Sequence, residues 1–216
     1  MGGDFAPQNV VAGALEALIE SRYRFSLLLV GKQESINQEL QKHRQANLPS
    51  GTLTVVHATE VIDFGDSPTA AVKTKRDSSI AVGMHLQNEG KADAFVSAGH
   101  TGAMLSASTL ILGRMKGVGR PTIGALVPTT SDTPCLLVDA GTNVDCKPRH
   151  LLEFAVMGSV YVEAMIGKKN PAVGLLSIGE EENKGNEVTL EAFGLLKKSG
   201  LNFFGNVEGR DILHGK

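Results

Sequence analysis

The sequence has no excess of positive charge. Its 21 lysines and arginines are balanced by 23 acidic residues, and the formal net charge is −2. Proteins dedicated to nucleic acid usually carry a basic excess, because their lysines and arginines displace the counterions around the phosphate backbone. The composition therefore argues against a nucleic-acid-binding protein.

Cysteine is scarce as well. Cys135 and Cys146 lack the Cys-x-x-Cys spacing of a zinc site and suggest no disulfide framework. Neither has an evident paired base, so we interpret both as thiols without a nucleophilic role. A reducing cytoplasm and a protein without bound metal are the expectations that follow.

The chain also lacks a long apolar run. No uninterrupted stretch reaches the roughly 18 residues that a membrane-spanning helix needs, and no signal peptide opens the sequence. Any membrane contact is expected to be peripheral.

Apolar runs of strand length alternate instead with segments of helical periodicity. Strands are predicted at residues 25–30, 53–56, 94–96, 123–127, 136–138, 173–178 and 203–204. Helices are predicted at residues 9–20, 68–87, 103–112, 151–166 and 187–197. This alternation is typical of βα units, so we predict an α/β fold with a mostly parallel sheet and helices on both faces. We expect one domain over residues 1–216, with 116–121 as its weakest point.

The clearest candidate site is the turn Ser-Ala-Gly-His-Thr-Gly-Ala at residues 97–103, which follows a predicted strand and opens a helix. Glycines let a backbone approach an anion closely, and Thr101 adds a hydroxyl donor. A tight turn that binds nothing fits the residues equally well. The turn has neither the GxGxxG spacing of a dinucleotide site nor the GK[ST] of a P-loop, which disfavours NAD and ATP.

Two further turns carry acids. Met-Gly-Gly-Asp-Phe-Ala-Pro at residues 1–7 precedes the first helix, where Asp4 either caps the helix or orients a ligand; capping is the simpler interpretation. Asp-Ala-Gly-Thr-Asn-Val-Asp at residues 139–145 places Asp139, Asn143 and Asp145 in one polar loop. Metal binding there is an alternative, although the spacing is not that of an EF-hand.

The segment Ile-Gly-Glu-Glu-Glu-Asn-Lys-Gly-Asn at residues 178–186 joins acids to a lysine. Acids beside a helix start suit the helix dipole without any ligand. Lys184 could hold phosphate or an oxyanion as a point charge, with Asn186 as a neutral donor; a solvated lysine is the alternative.

In chain order, these four motifs and Gly-Asn-Val-Glu-Gly-Arg-Asp at residues 205–211 resemble PlsX, the bacterial phosphate acyltransferase family. The resemblance spans essentially the whole chain. It implies a Rossmann-like α/β/α sandwich related to phosphotransacetylases and isopropylmalate dehydrogenases.

The resemblance also implies an activity and its partners. A long-chain acyl group moves from acyl carrier protein to inorganic phosphate, which gives acyl phosphate for phospholipid synthesis. The family implies no cofactor, a homodimer, peripheral attachment to the inner face of the membrane, and a downstream glycerol-3-phosphate acyltransferase.

Site roles follow from the resemblance and the chemistry. Catalytic contacts are assigned to His100, Lys184 and Asn186, and substrate contacts to Gly3, Asp4, Gly99, Thr101, Gly102, Asp139 and Asn143. Carrier protein is acidic, so the candidate docking charges are Lys73, Lys75 and Arg76 or, as an alternative, Arg114, Lys116 and Arg120.

The chain departs from the family pattern in three places. His100 stands where the family usually has Asn, which adds an imidazole to the turn. The strand before Gly2 is absent, and the family extends beyond Lys216. Three rival hypotheses remain: a phosphotransacetylase-like enzyme acting on acyl-CoA, a non-catalytic phosphate-binding module, and an NAD-dependent decarboxylating dehydrogenase.

Overall fold

The computed structural model describes residues 1–43 and 48–215. The chain divides into two compact units, Met1–Gly113 (unit 1) and Arg114–Lys216 (unit 2). The boundary lies just before residues 116–121, the segment that the sequence marks as weak. That the two units make one domain stays a prediction.

Unit 1 contains a parallel β-α-β element followed by three helices. Its elements are α1 (Gln8–Glu20), β1 (Leu27–Gly31), α2 (Gln33–Lys42), β2 (Leu53–His57), α3 (Pro68–Thr74), α4 (Ser79–Asn88) and α5 (Thr101–Ala107), which continues into a π-helical turn (Ser108–Leu112). Strands β1 and β2 are parallel, with Leu29 opposite Val55. The apolar faces of α1 and α2 pack on this pair through Val11, Leu15 and Ile36.

Unit 2 has two strand pairs. Its elements are β3 (Gly124–Val127), β4 (Cys135–Val138), α6 (Pro148–Tyr161), which continues into a π-helical turn (Val162–Ile166), β5 (Val173–Leu176), α7 (Glu187–Lys197), β6 (Phe203–Val207) and α8 (Gly209–His214). Strands β5 and β6 are parallel, whereas β3 and β4 are antiparallel. Helix α7 covers β5 and β6 with Phe193, whose ring meets the ring of Phe203 edge to face at 5.1 Å.

The predicted α/β class is confirmed, and most predicted helices and strands lie where the periodicity places them. Within residues 1–43 and 48–215, the strands form three two-stranded sheets, of which two are parallel. The strand predicted at 94–96 is wrong: Val96 is 92% exposed there, and Phe95 packs its ring against Gly83 of α4 instead of entering a sheet.

The prediction of a single helix over 68–87 is also wrong, because a non-helical segment separates α3 from α4. Asp77 accepts a hydrogen bond from the backbone N–H of Thr59 at 2.8 Å, and Ser78 Oγ accepts one from the N–H of Ala81 at 3.3 Å. Short polar side chains that bond to the backbone end one helix and cap the next.

No helix within residues 1–43 and 48–215 combines the length and the apolar composition needed to span a bilayer.

Candidate functional site

Two glycine-rich turns of unit 1 lie directly against each other, and we call residues 1–4 and 97–102 the glycine turn pair. A β-carbon at Gly2 would lie 2.9 Å from the backbone nitrogen of Gly99, closer than such atoms pack in proteins. Gly3 has a φ of +93° and passes beside Ala98. The two turns therefore meet backbone to backbone, which only glycine at position 2 permits.

The first turn is held by β1 and α4. The backbone nitrogen of Met1 donates to the carbonyl of Val30 at 3.2 Å, and the hydroxyl of Ser79 donates to the carbonyl of Met1 at 3.3 Å. This anchoring places the turn at the carboxyl end of a parallel strand, where ligands of open α/β sheets bind.

In the second turn, one backbone N–H group already has an acceptor within the turn. The N–H of Gly99 donates to Ser97 Oγ at 3.1 Å. His100 is the N-cap of α5 with an extended backbone, so the N–H groups of Thr101 and Gly102 belong to the first helical turn, which has no acceptors within the helix. The substrate contact of Gly99 stays a prediction, and the N–H groups of this turn without an acceptor in the helix follow His100.

Gly102 also has a packing role. A β-carbon at this position would lie 2.9 Å from Cγ of Pro68, the first residue of α3. The close approach of α3 to α5 is sufficient reason for a glycine there.

The imidazole of His100 is held by the segment that joins β2 to α3. Its Nε2 lies 3.2 Å from the backbone oxygen of Asp66, and its ring stacks on Phe64 with a centroid distance of 6.2 Å. A carbonyl oxygen only accepts, so Nε2 carries the proton in this hydrogen bond.

Lys75 is only partly exposed, and its charged group is already paired within unit 1. Its Nζ lies 2.6 Å from Oδ2 of Asp66 and 2.9 Å from the carbonyl oxygen of Val61. The hydrogen bond between the two side chains raises the pKa of Lys75 and lowers the pKa of Asp66. The predicted docking role of Lys75 is therefore unsupported, while Lys73 and Arg76 are exposed.

Asp4 does not cap α1, which corrects the simpler interpretation of this residue. The helix begins at Gln8, and Pro7 occupies the N-cap position without a side-chain cap. Asp4 is exposed on the glycine turn pair.

In unit 2, Asp139 is the centre of a hydrogen-bond network. Its carboxylate accepts from the hydroxyl of Thr122 at 2.7 Å, and from the backbone N–H of Asn143 at 2.7 Å. Burial raises the pKa of Asp139, but the hydrogen bonds from Thr122, Asn143 and Ile123 outweigh it and hold the pKa below its ordinary value.

The hydrogen bonds around Asp139 hold the backbone of its own loop, residues 139–145. Asn143 also donates from Nδ2 to the carbonyl of Pro121 at 3.1 Å, and Arg120 donates to the carbonyl of Asp145 at 2.7 Å. Within the part of the chain that the structure describes, no three acidic, histidine or cysteine side chains come together as metal ligands.

The loop that carries Lys184 is anchored by a residue to which sequence reasoning assigned no role. The carbonyl of Glu181 accepts from the backbone N–H of Lys184 at 3.0 Å and from Nδ2 of Asn206 at 2.8 Å. Asn206 lies on β6 and is 4% exposed. Its motif, residues 205–211, was part of the resemblance, yet nothing in the sequence indicates that its amide reaches this loop.

Asn186 is the N-cap of α7, and this role occupies the oxygen of its side-chain amide. Its Oδ1 accepts from the backbone N–H of Thr189 at 2.9 Å. A fixed Oδ1 leaves Nδ2 as the group of this side chain that donates outward. Lys184 beside it is exposed.

Both cysteines have weakly acidic thiols. Burial raises the pKa of Cys135 and of Cys146, and the carboxylate of Asp139 adds to the effect at Cys146. Thiols with raised pKa values are poor nucleophiles at neutral pH.

The structure thus brings some of the predicted site residues together within each unit. In unit 1, the turn that carries Gly3 and Asp4 lies against the turn that carries Gly99, through the contacts of Gly2 with Gly99 and of Gly3 with Ala98. In unit 2, Asp139 contacts Asn143, while Lys184 and Asn186 occupy the loop before α7.

Sequence comparison finds many similar proteins. The chain is 49% identical over 215 residues to a phosphate acyltransferase of Pelotomaculum thermopropionicum, covering 100% of this chain and 61% of that protein. It is 46% identical over 215 residues to a phosphate acyltransferase of Clostridium tetani, covering 100% of this chain and 63% of that protein. The chain therefore spans about three fifths of the length of these curated relatives.

Structural comparison finds the EutD phosphotransacetylase from Staphylococcus aureus, with a TM-score of 0.53 and 18% sequence identity, covering 92% of this chain and 73% of that one. The match supports the predicted relation to phosphotransacetylase folds. The model of the fatty acid synthesis protein family matches residues 1–216. The chain belongs to this fatty acid synthesis protein family, which confirms its resemblance to the PlsX phosphate acyltransferases.

Proposed function

We propose that this protein transfers a long-chain acyl group from acyl carrier protein to inorganic phosphate and releases acyl phosphate. The observation that carries the proposal is the glycine turn pair, in which two turns meet backbone to backbone beside the start of α5. Family membership and the names of the relatives agree with it.

The proposed reaction needs no nucleophilic side chain from the protein. A phosphate oxygen attacks the thioester carbonyl carbon, a C–O bond forms, the C–S bond breaks, and the thiolate leaves and takes up a proton from solvent. Phosphate is already anionic at neutral pH, so the task of the protein is positioning and stabilisation of the oxyanion. Cys135 and Cys146, with their raised pKa values, have no part in this mechanism.

The helix start after His100 is the phosphate contact in this proposal. The N–H groups of Thr101 and Gly102 and the Thr101 hydroxyl donate to the anion, and the dipole of the helix favours negative charge at this end. His100 contributes its backbone and keeps its ring on the Asp66 carbonyl.

In unit 2, Lys184 and Asn186 are the proposed donors to phosphate or to the developing oxyanion. The Asn206 amide and the α7 cap hold the backbone of their loop. Asp139 and Asn143 keep the shape of the loop at 139–145 through their mutual hydrogen bonds.

The proposed partner is acyl carrier protein, an acidic protein, which Lys73 and Arg76 attract with exposed charges. A homodimer, peripheral membrane attachment and delivery of product to a glycerol-3-phosphate acyltransferase complete the proposal.

The test is incubation of the chain with acyl carrier protein thioester and phosphate, followed by trapping of acyl phosphate with hydroxylamine. We expect hydroxamate that depends on phosphate. The same assay with acyl-CoA separates a phosphotransacetylase-like enzyme, which would use CoA thioesters as well or better. No hydroxamate from a folded sample with either donor would contradict the proposed activity, and phosphate binding without turnover would favour a non-catalytic module.

A further inference from the structure

The segment at residues 61–66, which we call the acidic loop, joins β2 to α3 and forms the support of the His100 ring. It supplies two contacts of the ring, the carbonyl of Asp66 and the ring of Phe64. We propose that Lys75 is a positioning residue that holds the start of α5 through the acidic loop and His100. The role of this helix start as the phosphate contact rests on the proposed function.

Lys75 contacts the acidic loop at several points. Its Nζ lies 2.6 Å from Asp66 Oδ2, 2.9 Å from the carbonyl oxygen of Val61 and 3.8 Å from Asp63 Oδ2. Asp66 Oδ2 also accepts from the backbone N–H of Asp63 at 2.8 Å. The ammonium group therefore bonds to both ends of the acidic loop, at Val61 and at Asp66. The hydrogen bond from Asp63 to the Asp66 carboxylate closes the loop on the same acceptor.

Asp66 transmits this contact to the turn. Its carboxylate binds Lys75, and its backbone carbonyl binds His100 Nε2 at 3.2 Å. His100 immediately precedes Thr101, so the position of its backbone sets the direction of the first N–H groups of α5. Helix α3, which ends next to Lys75, meets the same helix start where Pro68 contacts Gly102.

The Lys75 contact differs from the ordinary surface ion pairs of unit 1. Lys91 lies 2.7 Å from Glu89, but the two side chains are 64% and 49% exposed. Such exposed pairs contribute little. The side chains of Lys75 and Asp66 are both 29% exposed, and Lys75 also bonds to a backbone carbonyl. Lys91 is therefore the matched control for a lysine in a single exposed ion pair.

The first experiment follows the imidazole of His100 by NMR, without ligand. The His100 Cε1–H signal is assigned by its loss in His100→Asn. We expect Lys75→Met to shift this signal, Lys75→Arg to restore most of the native shift, and Lys91→Met to leave it unchanged. If Lys75→Met does not fold, Asp66→Asn replaces it and the same shift is expected. An unmoved His100 signal in the folded variant would overturn the proposal, whatever the activity of the protein.

The second experiment separates positioning from general stability by a double-mutant cycle on the KM for phosphate. We expect Lys75→Met and His100→Ala each to raise this KM about tenfold, with a smaller change in kcat, because a misplaced donor weakens the contact. The double variant should be no worse than the poorer single variant, because both remove one chain of contacts. Additive effects would overturn the proposal. A native chain with no phosphate-dependent turnover would refute the proposed function instead, and the NMR experiment would still decide the role of Lys75.

Discussion

The glycine turn pair of unit 1 and the polar loops of unit 2 are built in different ways. In unit 1, two backbones meet with no side chain between them, at Gly2 and Gly99. In unit 2, the loop at 139–145 is organised by the carboxylate of Asp139, and the loop at 178–186 by the amide of Asn206.

This difference predicts how each region responds to amino-acid substitutions. A backbone contact has no side chain that can rotate away, so an added methyl group must move the whole turn. A hydrogen-bonded loop can lose one bond and keep the others, at a cost of roughly 1 to 3 kcal/mol for a group left unpaired. We therefore expect a β-carbon added at Gly2 to cost function, and removal of a hydrogen bond that holds a unit 2 loop to cost mainly stability.

The largest effect is expected for Gly2→Ala. The new β-carbon would lie within 3.0 Å of the nitrogen and Cα of Gly99, so the two turns must separate. A displacement of about 1 Å at a binding turn costs on the order of 100-fold in turnover, measured as phosphate-dependent hydroxamate.

The control for this substitution is Gly13→Ala, on α1, where no atom outside the adjacent residues and the helix's own backbone lies within 4 Å of the added carbon. Alanine in a helix interior should stabilise the protein by about 0.5 to 1 kcal/mol and leave turnover unchanged. Equal turnover in the Gly2 and Gly13 variants would show that the close contact is irrelevant to activity.

Lys184→Ala should lower phosphate-dependent turnover by roughly tenfold or more, because it removes a positive charge from an anionic transition state. The backbone bond from Lys184 to Glu181 persists, so the free energy of unfolding should change little. Lys198→Ala, an exposed lysine at the end of α7, is the control. An unchanged rate in folded Lys184→Ala would remove this residue from the mechanism.

Asp139→Asn should act on stability and on its pH dependence. The pKa of Asp139 is below its ordinary value of 3.8, so its contribution to stability is present above that pH and is lost as the pH falls through the lowered pKa. The variant should lose about 1 to 3 kcal/mol at neutral pH and unfold with a weaker dependence on acid, measured by denaturant unfolding between pH 2 and 7. A native-like acid dependence in the variant would contradict this account.

The smallest effect is expected for His100→Asn. Asparagine is a favourable residue at the N-cap position that His100 occupies, and the backbone N–H groups after it are unchanged. Turnover should remain within about threefold of the native value, since backbone donors carry the contact. A loss as large as that of His100→Ala would mean that the imidazole itself is required.

Much of the fold could be predicted from periodicity, and the exceptions have local causes. Helix α7 has the predicted bounds, because its apolar residues recur at one face and Asn186 caps its start. The break between α3 and α4 was missed, because helical periodicity shows neither the Ser78 cap of α4 nor the bond from Thr59 to Asp77. The strand at 94–96 was wrong because an apolar run alone does not say whether Phe95 enters a sheet or packs on a helix.

The candidate site, like the fold, could be predicted from the sequence only in part. Motif order identified the family and marked the turns at 1–7, 97–103, 139–145 and 178–186. It did not distinguish a capping Asp4 from an exposed one, nor a docking Lys75 from one held by Asp66. Charge type is visible in a sequence, but the partner of a charge is not.

The sequence by itself determined the α/β class, the family and the residue types available for phosphate, because periodicity and motif spacing are local properties of the chain. Only the tertiary structure decided that Gly2 meets Gly99, that Asp66 links Lys75 to His100 and that Asn206 anchors the Lys184 loop. These contacts join residues far apart in sequence, and their geometry depends on how the surrounding helices and strands pack.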